Sequence, residues 1–303
     1  MLSSAFTIPI AWNKPAYLFY FGDLQHGTEG FDKEAWGVFK KEFLATPNSW
    51  AIGQGDYSDL IRPTMRARLL GVLAHDDSAR EQQDNMAMDE YWKIADFMSF
   101  LKGRVVGLHA GHHDWTFADG TNGTQKLCNY LKTAYLGWMA RIRFSFNLLN
   151  NSGVKTKKIF SLLGHGISMH GTGSALYPST DSRWLENKIW PFWEADWYVR
   201  GHSTKLNAYP VTRNYPKQKG SPGNHEKIRW LINSGGFHRG YTDGWKSSYV
   251  ERLGLPPSAL GWSVLEVKIK QVKCKERKDD EMHCQFLSTK AWTRPIEQEE
   301  YEK

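Results

Sequence analysis

The chain has 303 residues and a formal net charge of +7. This length suits either two average domains or one large α/β or layered β domain. Charged residues make up 23% and hydrophobic residues 41% of the chain, fractions that argue against disorder. No apolar run is long enough to span a bilayer, so no membrane association is predicted. The excess of basic charge favours acidic partners such as phosphorylated molecules, nucleotides or nucleic acid.

The three cysteines, Cys128, Cys274 and Cys284, are odd in number and show no CxxC spacing. This usage predicts neither a disulfide framework nor a thiolate zinc site, and it favours a reducing compartment. The N-terminal segment MLSSAFTIPIAWNKP lacks the basic and apolar regions of a secretory signal. We therefore predict a cytoplasmic protein.

Two strands that end in Gly-Asp open the chain. The segment AYLFYFGD is a short apolar and aromatic run that predicts a buried strand, and SWAIGQGD repeats the pattern. Between them, Phe31, Trp36, Phe39 and Phe43 recur at helical spacing, and Pro47 follows. The sequence therefore predicts a strand, a helix and a second strand, with Asp23 and Asp56 just beyond the strand ends.

The third predicted strand, RVVGLHAG, follows a polar and helical stretch over 63–101 and opens into GHHDW. Three successive strands thus end in acidic or imidazole residues. In α/β proteins, sites form beyond the carboxyl ends of strands, so we expect these side chains to meet.

The second half of the chain is rich in predicted strands. KKIFSLLGHGISMHGTG is interpreted as two strands with a turn at 164–166, the Trp-rich segment 184–197 as helical, and ADWYVRGHST as a strand. Residues 207–230 are rich in Pro, Lys and Gly and predict a loop or rim over the site, and 262–295 predict terminal strands. We predict a single domain over 1–303, a layered α/β/β/α body.

Five short blocks follow these strands in a fixed order. They are GDLQH at Asp23, GDYSD at Asp56, GHHDW at Gly111, SMHG at His170 and GHST at His202. Over about 17–206 this order resembles the calcineurin-like metallophosphoesterases, whose blocks run DxH, GDxxD, GNH followed by Asp or Glu, a lone His, and GHxH. The resemblance implies a four-layer α/β/β/α metallophosphoesterase sandwich with two divalent metal ions. Residues 235–267 are similar to the closing part of bacteriophage phosphoesterases, which implies a viral source and a host cytoplasm.

The resemblance implies that Asp56 bridges the two metals. His112, His170 and His202 would complete the shell of the second metal, with His112 standing where the family has Asn. One carboxylate with three imidazoles suits zinc, iron or manganese better than magnesium or calcium.

The first metal site departs further from the family pattern. Asp23 matches its carboxylate, but Gln25 replaces the His of DxH and Thr204 replaces the last His of GHxH. The site is either oxygen-rich, favouring manganese or magnesium, or weakly occupied. Gln25 is favoured over His26 as a ligand because residues i and i+2 project to the same side of an extended chain.

His113 matches the family's catalytic histidine, which implies a role at the leaving-group oxygen. Asp114 is expected to orient it. Asp59 would bind the ion or a residue that holds it. His109 and His165 are predicted to be structural. His238 and Arg239 either contact the substrate phosphate or are turn residues.

These features favour a phosphodiesterase or nuclease-like enzyme in which metal-bound hydroxide attacks phosphorus in line. A phosphomonoesterase would use the same residues. A third hypothesis, from a different functional class, is a metal-binding scaffold module whose catalysis is weak because the first metal site is altered. Basic charge and aromatic residues favour nucleic acid or nucleotide substrates, and the oligomeric state is left open.

Overall fold

The computed structural model describes residues 1–11, 14–60, 77–149, 161–172, 178–216, 224–241, 249–252, 254, 256–277 and 280–301. Within them, the strands form two six-stranded sheets. Sheet I has the order β12-β11-β2-β3-β4-β5, and its strands are β2 (Ala16–Phe21), β3 (Ser49–Gly53), β4 (Val105–His109), β5 (Ala134–Gly137), β11 (Gly261–Arg277) and β12 (Asp280–Pro295).

Sheet II has the order β1-β6-β7-β8-β10-β9. Its strands are β1 (Leu2–Ala11), β6 (Met139–Leu149), β7 (Ser161–Met169), β8 (Trp197–Arg200), β9 (Leu206–Pro216) and β10 (Asn224–Ser234). The helices are α1 (Lys33–Ala45), α2 (Asp77–Phe97), α3 (Gly123–Leu131), α4 (Pro178–Lys188) and α5 (Tyr249–Arg252), with 3₁₀ turns at Ser99–Leu101 and Gln298–Glu300. No helix in the described ranges is long and apolar enough to cross a membrane.

Strand β2 shows how the layers are held together. Successive side chains of a strand point to opposite faces. Phe21 accordingly packs against Trp36 of α1 and Phe19 against Phe39 of the same helix, in a cluster that also includes α2 and α3. Leu18 and Tyr20 face the other way, into a cluster shared with sheet II. Burying each such side chain contributes about 1.5–3 kcal/mol, so both faces of sheet I are strongly fixed.

A third cluster covers the outer face of sheet II. Ile167 of β7 and Tyr198 of β8 pack there with Leu185 of α4. The order is therefore helices, sheet I, sheet II and helix, which confirms the predicted four-layer α/β/β/α sandwich. The single-domain prediction stays a prediction.

Helix α1 matches its sequence prediction closely. Its buried face is formed by Trp36, Phe39 and Phe43. Asp32 caps its N-terminus, where its side chain accepts a hydrogen bond of 2.9 Å from Ala35 N. The terminal strands are confirmed as the hairpin β11–β12.

Three secondary-structure predictions were wrong. The segment 184–197, predicted to be helical, is helical only as far as Lys188, where α4 ends, and Trp197 already begins β8. The predicted loop at 207–230 contains the antiparallel pair β9–β10, with residues 217–223 lying outside the described part of the chain. Strand β9 is an edge strand, where Pro210 can be accommodated without removing a ladder hydrogen bond. Residues 164–166, predicted to form a turn, lie inside β7. The glycine at 166 is required by packing and not by a turn, since a Cβ there would lie 2.4 Å from Trp197 Nε1.

Strands β2, β3 and β4 are parallel neighbours, as are β7 and β8. Their carboxyl ends are followed by Asp23, Asp56, His112, His170 and His202 respectively. The two sheets are joined at this edge by a hydrogen bond of 3.0 Å from Gln54 Nε2 to Ser168 Oγ. The fold thus brings residues from distant parts of the sequence to one edge of the sandwich.

Candidate active site

Four side chains from both sheets meet at this edge and form what we call the imidazole cluster: Asp56, His112, His170 and His202. One carboxylate oxygen and three ring nitrogens, one from each residue, all lie within 4.8 Å of one another. Such a donor set can hold a metal ion. Asp56 and His170 are fully buried, and the other two are partly exposed, so the cluster is open on one side.

Asp56 is the centre of the cluster. Its Oδ2 lies 3.2 Å from His170 Nε2 and 3.5 Å from His202 Nδ1, and its Oδ1 accepts a hydrogen bond of 3.1 Å from His113 N. Burial opposes ionisation, but the neighbouring His170 and His202 lower the pKa of Asp56 well below its usual value. Asp56 is therefore a carboxylate at neutral pH.

The backbone fixes which nitrogen His170 presents to the cluster. Its Nδ1 lies 2.6 Å from the carbonyl oxygen of Gln54 and donates to it, so Nε2 faces Asp56 and His112. Burial opposes the charged form of His170, yet Asp56 outweighs it and raises the pKa to about 9. For His112, burial and the neighbouring imidazoles lower the pKa to about 4. The nitrogens His170 Nε2 and His112 Nδ1 lie 2.9 Å apart.

Asp23 lies beside the cluster. Its Oδ2 accepts a hydrogen bond of 3.0 Å from His202 N, while its buried Oδ1 has no hydrogen-bond partner. Burial, reinforced by the charge of Asp56, raises the pKa of Asp23 to about 6. A buried carboxylate oxygen without a donor is costly, and a cation would satisfy it. Together with the donor set of the cluster, this oxygen shows that the residues fit a divalent metal.

The three remaining predicted ligands, Gln25, Thr204 and His26, make different contacts. Gln25 lies in the loop after β2, and its backbone N–H donates to Asp56 O, in the loop after β3, at 3.0 Å. The Oγ1 of Thr204 lies 3.3 Å from Ser258 Oγ. His26 turns to helix α2, where its Nδ1 contacts Glu90 Oε1 and its ring packs on Phe31. The roles of these three residues as ligands stay predictions.

The backbone at the site is unusual. Of the seven described non-glycine residues with positive φ, five belong to the predicted site: Asp23, Gln25, Asp56, His202 and Thr204. Left-handed backbone costs about 1–3 kcal/mol in a non-glycine residue and is concentrated at functional sites. Thr204, with φ of 54°, is the most unfavourable because its side chain is β-branched.

The contacts of His113 correct one sequence prediction. Its Nδ1 lies 2.6 Å from Asp59 Oδ1, and its Nε2 faces the cluster, 3.8 Å from Asp56 Oδ2. Asp59, rather than the predicted Asp114, thus orients the imidazole. The Asp114 carboxylate accepts hydrogen bonds from Thr124 Oγ1 at 2.8 and 2.9 Å and from Tyr91 OH at 3.3 Å. Burial raises the pKa of Asp114 to about 6.

His109, His165 and His238 lie outside the cluster. His109 is buried in β4, where its Nδ1 donates to Gly137 O at 2.9 Å, and His165 lies within β7. His238 is packed beside Gly30, and burial lowers its pKa. Arg239 pairs with Asp32 at the start of α1.

Sequence reasoning missed two residues of this site. Gln54 is fully buried and supports His170 through its carbonyl oxygen. A polar residue between two glycines at the end of an apolar strand was the available signal. Trp138 contacts His112, with ring centroids 4.9 Å apart, and no pattern in the sequence indicated it.

No protein-family model matches the chain, and no curated protein matches it. Similar solved structures include Vps29 from Chaetomium thermophilum, with 9% identity, 93% of this chain and 98% of that chain covered, and a TM-score of 0.36. Calcineurin-like phosphoesterase YfkN from Bacillus subtilis has 9% identity, coverage of 93% and 90%, and a TM-score of 0.40. GAP50, the anchor in the inner membrane complex of Plasmodium, has 13% identity, coverage of 94% and 90%, and a TM-score of 0.44. Because these identities and TM-scores are low, the proposed function rests on the residues of the site.

Proposed function

We propose that the chain is a metal-dependent phosphoester hydrolase, a phosphodiesterase or nuclease-like enzyme. The imidazole cluster carries this proposal, because its four donor atoms lie within 4.8 Å and one side is open to solvent. A divalent cation bound there would lower the pKa of a ligand water and screen the negative charge of a phosphoester. Asp56, His112, His170 and His202 would hold it, and Asp23, with Gln25 or Thr204, would hold a second ion. This donor set favours zinc, iron or manganese in the cluster and manganese or magnesium beside Asp23.

His113 is the proposed general acid. Its Nδ1 contact with Asp59 leaves Nε2 directed toward the cluster, 3.8 Å from Asp56 Oδ2. As a water oxygen forms its bond to phosphorus and its proton passes to solvent, the ester P–O bond breaks and the leaving oxygen takes a proton from His113 Nε2, which solvent then protonates again. Asp59 stabilises the protonated imidazole before this transfer and fixes its orientation.

The cellular setting is also a proposal. Cys128 is a free, buried thiol, which is consistent with a reducing cytoplasm. The resemblance of residues 235–267 to bacteriophage phosphoesterases supports a viral source, in which case the enzyme would act in the host cytoplasm. The net charge of +7 favours nucleic acid or nucleotide substrates.

The test compares bis(p-nitrophenyl) phosphate with p-nitrophenyl phosphate, each with manganese, zinc, nickel or magnesium. We expect faster turnover of the diester, and loss of turnover in Asp56→Asn. A matched control is His165→Ala, which removes an imidazole from β7 outside the cluster. Faster turnover of the monoester would favour the phosphomonoesterase alternative. Metal binding without turnover of either ester would refute the hydrolase and favour a scaffold module.

A further inference from the structure

Trp138 is a large aromatic residue beside the imidazole cluster. It lies between β5 and β6, and its side chain is 49% exposed. Its ring centroid lies 4.9 Å from that of His112 and 5.9 Å from that of His170. The interplanar angles are 61° and 59°, so the imidazoles are tilted against the indole and do not stack flat on its face.

The backbone on both sides of this ring is held by the site itself. Gly137 O accepts hydrogen bonds from Ala110 N at 3.0 Å and from His109 Nδ1 at 2.9 Å. Trp138 O accepts a hydrogen bond of 3.1 Å from His170 N. Trp138 is therefore hydrogen-bonded to one cluster member, and the preceding Gly137 to two residues next to the cluster, so the backbone that carries the indole is fixed relative to the cluster.

An exposed indole held in this way is a ready stacking surface. Indole rings bury large apolar areas, and stacking with another flat ring adds favourable energy beyond the area buried. Bases stack on aromatic side chains without sequence preference, because every base has a π-face. Because the indole lies 4.9 Å and 5.9 Å from two imidazoles of the cluster, a ring stacked on Trp138 and a phosphate at the cluster can belong to one small ester.

We propose that Trp138 binds the planar aromatic group of the substrate, and that the site therefore prefers phosphoesters whose phosphate is linked to a nucleobase-bearing sugar over esters without a ring. This rests on the proposed function, since the phosphate is assumed to bind at the cluster. Trp138 is a specificity-determining residue here, and it takes no part in proton transfer.

Binding is the appropriate measurement because it does not depend on turnover. Two probes differ only in the base: a phosphonate isostere of AMP, with methylene in place of the bridging ester oxygen, and the same ribose phosphonate without adenine. Both are titrated by calorimetry into manganese-loaded wild type, Trp138→Leu and Trp138→Phe. Trp92→Leu is the matched control, because Trp92 is 48% exposed and packs on Tyr130 of helix α3.

We expect Trp138→Leu to weaken binding of the AMP isostere about tenfold and to leave the ribose phosphonate unchanged. Trp138→Phe should recover part of the loss, and Trp92→Leu should bind both probes like wild type. Equal weakening of both probes in Trp138→Leu would show a structural role and overturn the proposal, as would no change in either. Failure of the proposed function would appear in the turnover assay and not in this titration, because a protein without hydrolytic activity can still discriminate between the two probes.

Discussion

Gly111 allows the loop after β4 to approach Asp56, and Gly111→Ala tests how closely the site depends on that approach. A Cβ at residue 111 would lie 2.1 Å from both the backbone nitrogen and Oδ1 of Asp56. Real Cβ contacts are essentially never shorter than 3.0 Å. The added methyl group must therefore displace Asp56 or the loop by roughly 1 Å, since both atoms belong to a fully buried residue.

The expected consequences are a loss of stability and a larger loss of metal binding. Overpacking of this kind costs about 1–3 kcal/mol of unfolding free energy. Ligand distances in metal sites are held within about 0.2 Å, so a displacement of roughly 1 Å is several times the tolerance. We expect the metal affinity to fall by about 10- to 100-fold or more, since this range is seen when a hydrogen-bond partner of a metal ligand is removed.

The assay pairs urea denaturation in the presence of a chelator with calorimetric titration of manganese or zinc. Gly37→Ala is the control: Gly37 lies in helix α1, and a Cβ there has no neighbour within 4 Å. That variant should gain about 0.5–1 kcal/mol, because alanine is the better helix former. A Gly111→Ala protein that binds metal like wild type would refute the proposed geometry of Asp56.

Three further outcomes are expected. His113→Ala should lower kcat by about 10²- to 10⁴-fold, and Asp59→Asn should reproduce part of that loss. The metal content of both variants, measured by atomic absorption, should be unchanged. A normal kcat in either variant would contradict the proposed proton transfer. Burial holds the pKa of His109 at about 3, below the unfolded value of about 6.5, so its contribution to stability is complete above pH 6.5 and falls by about 1.4 kcal/mol per pH unit as the pH decreases from 6.5 to about 3. His109→Asn should remove that share of the pH dependence in urea unfolding with chelator, and an unchanged slope would count against it. Metal at 100 times its Kd should stabilise wild type by about 2.7 kcal/mol, seen as a higher Tm, and Asp56→Asn should lose this increment.

The strand ends were predictable because local patterns determine them. Apolar runs followed by Gly-Asp or Gly-His predicted the carboxyl ends of β2, β3, β4 and β8, and parallel pairing brings the ends of β2, β3 and β4 together in sheet I and those of β7 and β8 in sheet II. The helical face of Trp36, Phe39 and Phe43 was readable for the same reason. These features depend on a few neighbouring residues and on the periodicity of the backbone.

The errors came from contacts between distant parts of the chain. Asp114 follows His113 directly, yet its carboxylate is held by Tyr91 and Thr124, whereas Asp59 reaches the imidazole from another loop. The glycines of β7 read as a turn because the Trp197 ring that requires them lies on a neighbouring strand. Sequence adjacency carries no information about such tertiary contacts.

The left-handed residues of the site bear on directed evolution of this protein. Glycine adopts positive φ without steric cost, so replacing Asp23 or His202 by glycine would relieve the backbone at each position, whereas the buried contacts of Asp56 with His170 and His113 N would favour its retention. A selection that rewards only heat resistance of the chelated protein would therefore enrich glycine at these positions. The selected variants would be more thermostable but unable to bind a metal ion. A screen for thermostable variants therefore has to measure metal binding as well as folding.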